Sequence, residues 1–462
     1  MARVAAQLTN FTAGELSPRL DGRNDLAKYS AGCSTVENMV IYPHGAAARR
    51  PGTQYIASVK TAAAKTRLIP FEFSTEQTYI LEFGNTYIRF YRDQGQIESG
   101  GSPYEIVSPY LTAELFDIKF AQSADVMYIT HPNHQTRKLS RTGHTSWTLT
   151  AVEFTNGPYL DTNTSTTTIS TSAHTVGAGV TMTASASTFV ATDVGRQVRF
   201  RDGYGIITAF TSVTVVTIEI LIDMGSSSSS ADWSLGAFST TTGFPSCVSF
   251  FEQRLVFAGT INNPQTVYFS KSGDYESMDA NIGGTIADDD AIIYTIASNQ
   301  VNAIRFMTST RTLIIGTAGG EFTVSGGGDN NAVTPTNILI KKQSNHGAAN
   351  VNAVSVGNAT LFLQRAKRKI RELAYNFDVD GYQAPDLTIL AEHITEGGIV
   401  EMAYQEEPLA ILWCVRTDGE LIALTYQREQ EVVAWHRHIL GGVFGTGNAV
   451  VESVAVIPTD DS

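Results

Sequence analysis

From Arg67 onward, apolar and polar residues alternate in short runs separated by polar turns. In "TYILEFGNTYIRFYRDQGQI" the alternation reverses at Gly84-Asn85, which predicts a β-hairpin. "ADVMYITHPNHQTRKLSRTGHTSWTLTAV" repeats the signal over three strands. A two-residue period turns one face of each strand toward a core and the other away from it.

The design recurs along the chain. "SFFEQRLVFAGT", "RFMTSTRTLIIGT", "SVGNATLFLQR" and "AYQEEPLAILWCVRTDGEL" each read as an apolar strand, a polar turn and a strongly apolar strand. They begin near Ser249, Arg305, Ser355 and Ala403, a period of about 50 residues, within the range of propeller blades. Looser copies start at Ile69 and Ile118, and "VESVAVIP" opens one more. A small antiparallel sheet cannot bury both faces alone, and radial stacking of such sheets covers them. The expectation is therefore an all-β chain forming a β-propeller of six or seven blades. A sandwich or barrel of similar hairpins is the alternative.

Two segments depart from the repeat. "NDLAKYSAGCSTVENMVI" sets Leu26, Tyr29, Cys33, Val36 and Val40 at near-helical spacing, with Asn24 or Asp25 as N-cap, and predicts a short helix. "YPHGAAARRPGTQYIA" (Tyr42 to Ala57) then reads as a hinge into the propeller: small alanines, a Pro51-Gly52 turn and a first strand in "TQYIA". The residues after Ala46 could supply the early strand that closes the propeller against its last blade. The second departure is Thr/Ser-rich, with "GSSSSSADW" reading as a flexible linker and "VGRQVRFRDGYGIITAFTSVTVVTIEILI" as strands. The expected organisation is a helical lead-in over 1–50, first blades over 51–154, an inserted small β domain over 155–242, and remaining blades over 243–462, the last incomplete.

Composition narrows the functions. The 462 residues are 42% hydrophobic and 17% charged, enough to bury a core. A net charge of -13 gives no counterion-release energy with nucleic acid over the general surface, so any DNA contact must be local. Cys33, Cys247 and Cys414 are far apart and form no CxxC pair, which suggests neither a zinc site nor a disulfide framework. The start has no signal-peptide core and no run is long enough to span a membrane, so the chain reads as soluble and made in a reducing cytoplasm.

Candidate chemistry is sparse. "RTGHTSW" (Arg141 to Trp147) approaches the Asp-box of sialidase-type propellers but lacks the aspartate and the register, and reads as a hairpin turn before a blade tryptophan. "NFDVDG" (Asn376 to Gly381) imitates a calcium loop, but the twelfth position is Leu387, leaving an Asp-Gly turn. "ADDDAI" (Asp288 to Asp290) reads as a solvated charge run. His436 and His438 of "WHRH" share a strand face without a visible third ligand, and read as edge or interface residues. "SGGGDNN" (Ser325 to Asn331) lacks the Lys and helix of a phosphate loop. No nucleophile elbow, P-loop or His-Glu-x-x-His occurs, so no catalytic residue, metal or cofactor is assigned and the chain reads as a non-enzyme. The sharpest charge feature is "QRAKRKIREL" (Gln364 to Leu373). As a strand it would place Arg365, Lys367, Lys369 and Arg371 on one face, suited to an acidic partner or a phosphate backbone. Solvation at a hairpin edge is the competing account. Arg49 and Arg50 suit a carboxylate in a neighbouring blade or subunit, ahead of DNA.

Two long stretches carry a resemblance. "NFTAGELSPRLDGRNDLAKYSAGCSTVENMVIYPHGAAARRPGTQYIA" is similar to the N-terminal signature of the tail nozzle proteins of short-tailed bacteriophages, the tail tubular protein B family. "SCVSFFEQRLVFAGTINNPQTVYFSKSGDYESM" (Ser246 to Met278) resembles a second signature of that family. The resemblance implies a homo-hexameric ring in the virion tail, assembled in the host cytoplasm. It would sit beneath the portal and adaptor, meet tail fibres or spikes, and conduct double-stranded DNA during ejection without catalysis or cofactors. An acidic conduit would let DNA slide. The rival function is a carbohydrate-binding or glycan-cleaving propeller of a phage tail, and a third is a scaffold that presents its face to protein partners.

Overall fold

The computed structural model describes residues 8–298, 300–328 and 331–458, so Asp329 and Asn330 of "SGGGDNN" lie outside the described residues. The described residues fold as a β-propeller of six complete four-stranded antiparallel blades, the lower of the two expected counts. The first blade runs through Arg67–Glu72, Thr78–Gly84, Tyr87–Arg92 and Glu105–Val107, and the second through Lys119–Ser123, Val126–His131, His134–Gly143 and Ser146–Ala151. The third uses Cys247–Phe251, Arg254–Ala258, Thr266–Phe269 and Ile292–Thr295, and the fourth Ile304–Ser309, Leu313–Thr317, Gly320–Gly326 and Ile338–Ser344. The fifth has Val354–Val356, Ala359–Leu363, Ile370–Asn376 and Gly381–Gln383, and the sixth Ile399–Gln405, Ile411–Arg416, Leu421–Gln427 and Val432–His438. The four clear and two looser copies of the sequence repeat coincide with blades.

Packing explains the character of the strands. Second strands such as Arg254–Ala258, Leu313–Thr317 and Ala359–Leu363 are buried at every position, because a neighbouring blade covers each face. They read as continuous apolar runs for that reason. Inner strands keep the alternation, as Arg67–Glu72 does. Apolar clusters join blades one to two, two to three, three to four, four to five and five to six. Trp147 anchors the first of these, stacked on Phe90 at 4.5 Å and edge-on to Phe71 at 4.8 Å.

The insertion is a six-stranded sheet in the order Ile169–Thr171, Gly177–Ala184, Val215–Ile222, Gly203–Ser212, Gln197–Phe200, Trp233–Leu235. Reciprocal bonds of 2.9 Å between Ile169 and Ser230 close it into a barrel around Met182, Phe189, Phe200, Ile207 and Ile218. The serine run expected as a free linker is thus part of the closure. Asp232 beyond it binds Arg199 at 2.6 Å.

The lead-in differs from expectation. Only a short 3-10 turn forms over Ala27–Ala31, and Gly32–Cys33 is extended, because the apolar positions bind a sheet edge and not a helix groove. Gly14–Glu15 runs parallel to the outermost strand of blade six, with Gly32–Cys33 beyond it. Gly14 has φ +64, and a Cβ there would lie 2.4 Å from the Trp435 nitrogen, so glycine is required. A hairpin, Met39–Ile41 with Ala47–Arg49, packs Val36, Val40 and Ile41 on the same blade. "TQYIA" forms no strand, and residues after Ala46 pair within this hairpin and not with the last blade. Among the described residues, no helix is long and apolar enough to cross a membrane.

Candidate functional site: the axial cavity and the seam between blades six and one

The inner strands of all six blades converge on an axial cavity of about 500 Å³. Val454 to Val456 complete its wall. Their segment lies at the inner position between blades six and one, where a further blade's first strand would sit, yet it pairs in no ladder. The expected incomplete last blade is thus a single unpaired segment.

This seam is closed by polar groups. Arg67, on the inner strand of blade one, donates through Nε to Glu401 of blade six at 3.0 Å, and through Nη1 to the Leu115 and Ile118 carbonyls at 2.8 and 2.7 Å. Both partners are buried. The second Glu401 oxygen accepts from the Ser453 hydroxyl and from Val454 N–H at 2.9 Å. Ser453 Oγ accepts from Leu68 N–H at 2.9 Å, and the Pro458 carbonyl from the Thr78 hydroxyl at 2.9 Å. One carboxylate therefore holds blade one, blade six and the terminal segment. Beyond it, a cleft of about 800 Å³ opens between Ile56, Val59, Leu68, Ile80 and Ile457.

Lys119 and Cys247 also line the cavity. Burial lowers the Lys119 pKa to about 8 and pushes the Cys247 thiol up, so the sulfur is held protonated and poorly nucleophilic. The lead-in has its own buried anchor. Glu15 accepts from Val36 N–H at 2.8 Å and from Arg437 Nε at 3.1 Å, and lies 2.8 Å from His393 Nε2.

The residues singled out in the sequence are dispersed. "QRAKRKIREL" is not a ladder: Gln364 to Lys369 form the turn between Ala359–Leu363 and Ile370–Asn376, and Lys367 at φ +62 reverses the chain. Arg365 and Lys367 are exposed, whereas Lys369 pairs with Asp386 at 2.8 Å and Arg371 donates to Gln364 and to the Ala384 carbonyl. Arg50 bonds Asn38, the Pro51 carbonyl and, at the end of blade six, the Ile439 carbonyl at 3.1 Å, so its hydrogen-bond partners among the described residues are neutral oxygens and no carboxylate. Arg49 is exposed, with no ion pair among the described residues.

His436 and His438 are not edge residues: both are buried, joined Nδ1 to Nε2 at 2.7 Å, with Thr425 Oγ1 3.0 Å from His436. Burial lowers them to pKa values of about 3 and about 4. Asp290 of the acidic run is buried and paired with Lys271 at 3.2 Å, so that run is only partly solvated. "NFDVDG" forms the expected turn, with Asp380 in the left-handed region and Asn376 capping. Arg67, Glu401 and Glu15 carried no local signal, since their partners are hundreds of residues away.

No family model and no curated protein matches the chain. Solved structures align with the chain at low similarity. A YCF48 structure bound to D1 peptide aligns at 10% identity over 84% of this chain and 86% of its own, TM-score 0.37. The Cps50 (Swd1) β-propeller domain of Myceliophteria_thermophila aligns at 8% identity over 85% and 90%, TM-score 0.38. The Neurospora crassa Pan2 WD40 domain aligns at 9% identity over 72% and 80%, TM-score 0.31.

Proposed function

We propose that this chain is a structural subunit of a phage tail nozzle, a propeller that assembles into a ring and conducts DNA without chemistry of its own. The observation that carries the reading is the resemblance of residues 10–57 and 246–278 to the two family stretches. Those stretches build the lead-in on blade six and the core of blade three. The axial cavity of about 500 Å³, into whose wall Val454 to Val456 are set, supports placing the conduit on the ring axis between subunits and not through the propeller. A net charge of -13 suits a wall along which DNA slides.

Negative-stain imaging of the purified chain tests this. Six-fold rings with an axial pore are expected. A monomer that binds polysaccharide would overturn the proposal in favour of a receptor-binding propeller, whose displayed barrel would then be the first region to examine.

A further inference from the structure

At the junction of blades one and two, polar side chains converge that play no part in the proposed role. His131 ends Val126–His131 and His134 opens His134–Gly143, so the Pro132-Asn133 turn sets the two imidazoles side by side, ring centres 5.0 Å apart. Glu114, from the 3-10 turn Thr112–Asp117, reaches them with Oε2 2.9 Å from His134 Nε2. One donor atom from each of the three lies within 4.8 Å of the other two.

The surroundings leave polar groups unsatisfied. His131 is 1% exposed; its Nδ1 accepts from Asn133 N–H at 3.2 Å, and its Nε2 has no hydrogen-bond partner. The Tyr110 hydroxyl, fully buried, is also unpartnered, and the Tyr110 ring lies edge-on to His134 at 5.3 Å. Buried polar groups are ordinarily paired, so two orphans beside one cluster point to a further binding partner.

We propose that Glu114, His131 and His134 bind a divalent transition-metal ion of the zinc class. Two imidazoles and one carboxylate suit zinc and its neighbours, whereas calcium and magnesium call for oxygen donors. Donors around tetrahedral zinc lie about 3.3 Å apart, given bonds of about 2.0–2.1 Å. The Glu114–His134 pair is already that close, and rotation of these two partly exposed side chains brings them to the fixed His131. Ligation through Nε2 moves each ring proton to Nδ1, so His131 gives up the Asn133 hydrogen bond and His134 its bond to Glu114. Leu111 N–H, 2.9 Å from Glu114 Oε2, orients the carboxylate from behind. A fourth position stays open to water. Bound there, the ion ties the turn that connects blades one and two to the central hairpin of blade two.

Metal-stripped full-length chain titrated with Co²⁺ should develop visible d–d absorption at one equivalent, lost on adding Zn²⁺. His134→Ala should abolish the band and lower Zn²⁺ affinity roughly 100-fold or more with unchanged circular dichroism. His144→Ala, at a histidine bonded to Tyr79 and Arg92, should bind as wild type. If His134→Ala fails to fold, Glu114→Gln and the wild-type imidazole ¹⁵N shifts carry the test, since zinc must switch the His131 tautomer. Absence of the cobalt band in the wild type, or undiminished Zn²⁺ affinity in the folded variant, would overturn the site.

Discussion

Arg67 and Glu401 show what a single buried pair does when two ends of a chain must meet. Desolvation makes such a pair weakly stabilising overall, but removing one partner strands the other. Arg67→Ala is expected to cost about 3–5 kcal/mol in urea unfolding, and Glu401→Ala a similar amount, with a double variant well short of the sum. Lys119 works in the opposite direction. Its folded pKa is depressed to about 8, so the unfolded chain binds the extra proton and stability falls as pH drops from the unfolded value near 10.5 toward 8. Lys119→Met is therefore expected to stabilise the protein at pH 7 by about 1–3 kcal/mol, with little gain at pH 10.5. The same linkage governs His436 and His438. Their contribution is intact above pH 6.5 and is lost as pH falls toward 4, with a slope of at most about 1.4 kcal/mol per unit for each histidine. A urea midpoint that stays flat between pH 6.5 and 4.5 would contradict this.

At the scale of elements, what could be read from the sequence was what is local. The hairpins at Gly84-Asn85 and through Val126 to Ala151 follow from alternation and turn residues alone, and six of the seven repeat copies became blades. The insertion was legible because its β-branched strands broke the period. The lead-in misled because Leu26, Tyr29, Cys33, Val36 and Val40 fit a helical period by accident of spacing, while the partner that decides their shape, the blade-six edge, lies some four hundred residues on. "QRAKRKIREL" misled for another reason: periodicity does not report a positive φ, and Lys367 turns the chain inside the run. Glu15 and Glu401 were invisible because a buried carboxylate looks like a surface one until its cations arrive. The docking of the lead-in rests on Gly14, where a side chain would strike the blade-six backbone. Gly14→Val should release the lead-in without opening the blades, read as faster protease cleavage and amide exchange before residue 50 with protection retained in the propeller.

For the whole molecule, the two basic sites now carry different expectations. Arg50 is committed within the subunit, to the end of blade six, while Arg49 is exposed beside it. If subunits meet through this face, Arg49→Glu should abolish rings in electron micrographs while leaving the unfolding midpoint of the monomer within about 0.5 kcal/mol of wild type. Arg50→Glu should lower that midpoint as well.

The barrel's attachment has a practical reach. Its entering and leaving strands run side by side: Ala237 N–H bonds the Pro158 carbonyl at 2.8 Å and Leu160 N–H the Leu235 carbonyl at 2.9 Å. Phe154 and Phe238 meet at their base, 5.6 Å apart. A module joined to its host by two adjacent ends is interchangeable. Any domain whose termini lie a strand's spacing apart, a fluorescent reporter or an affinity handle included, could be grafted between blades two and three, leaving the propeller beneath unaware of the exchange.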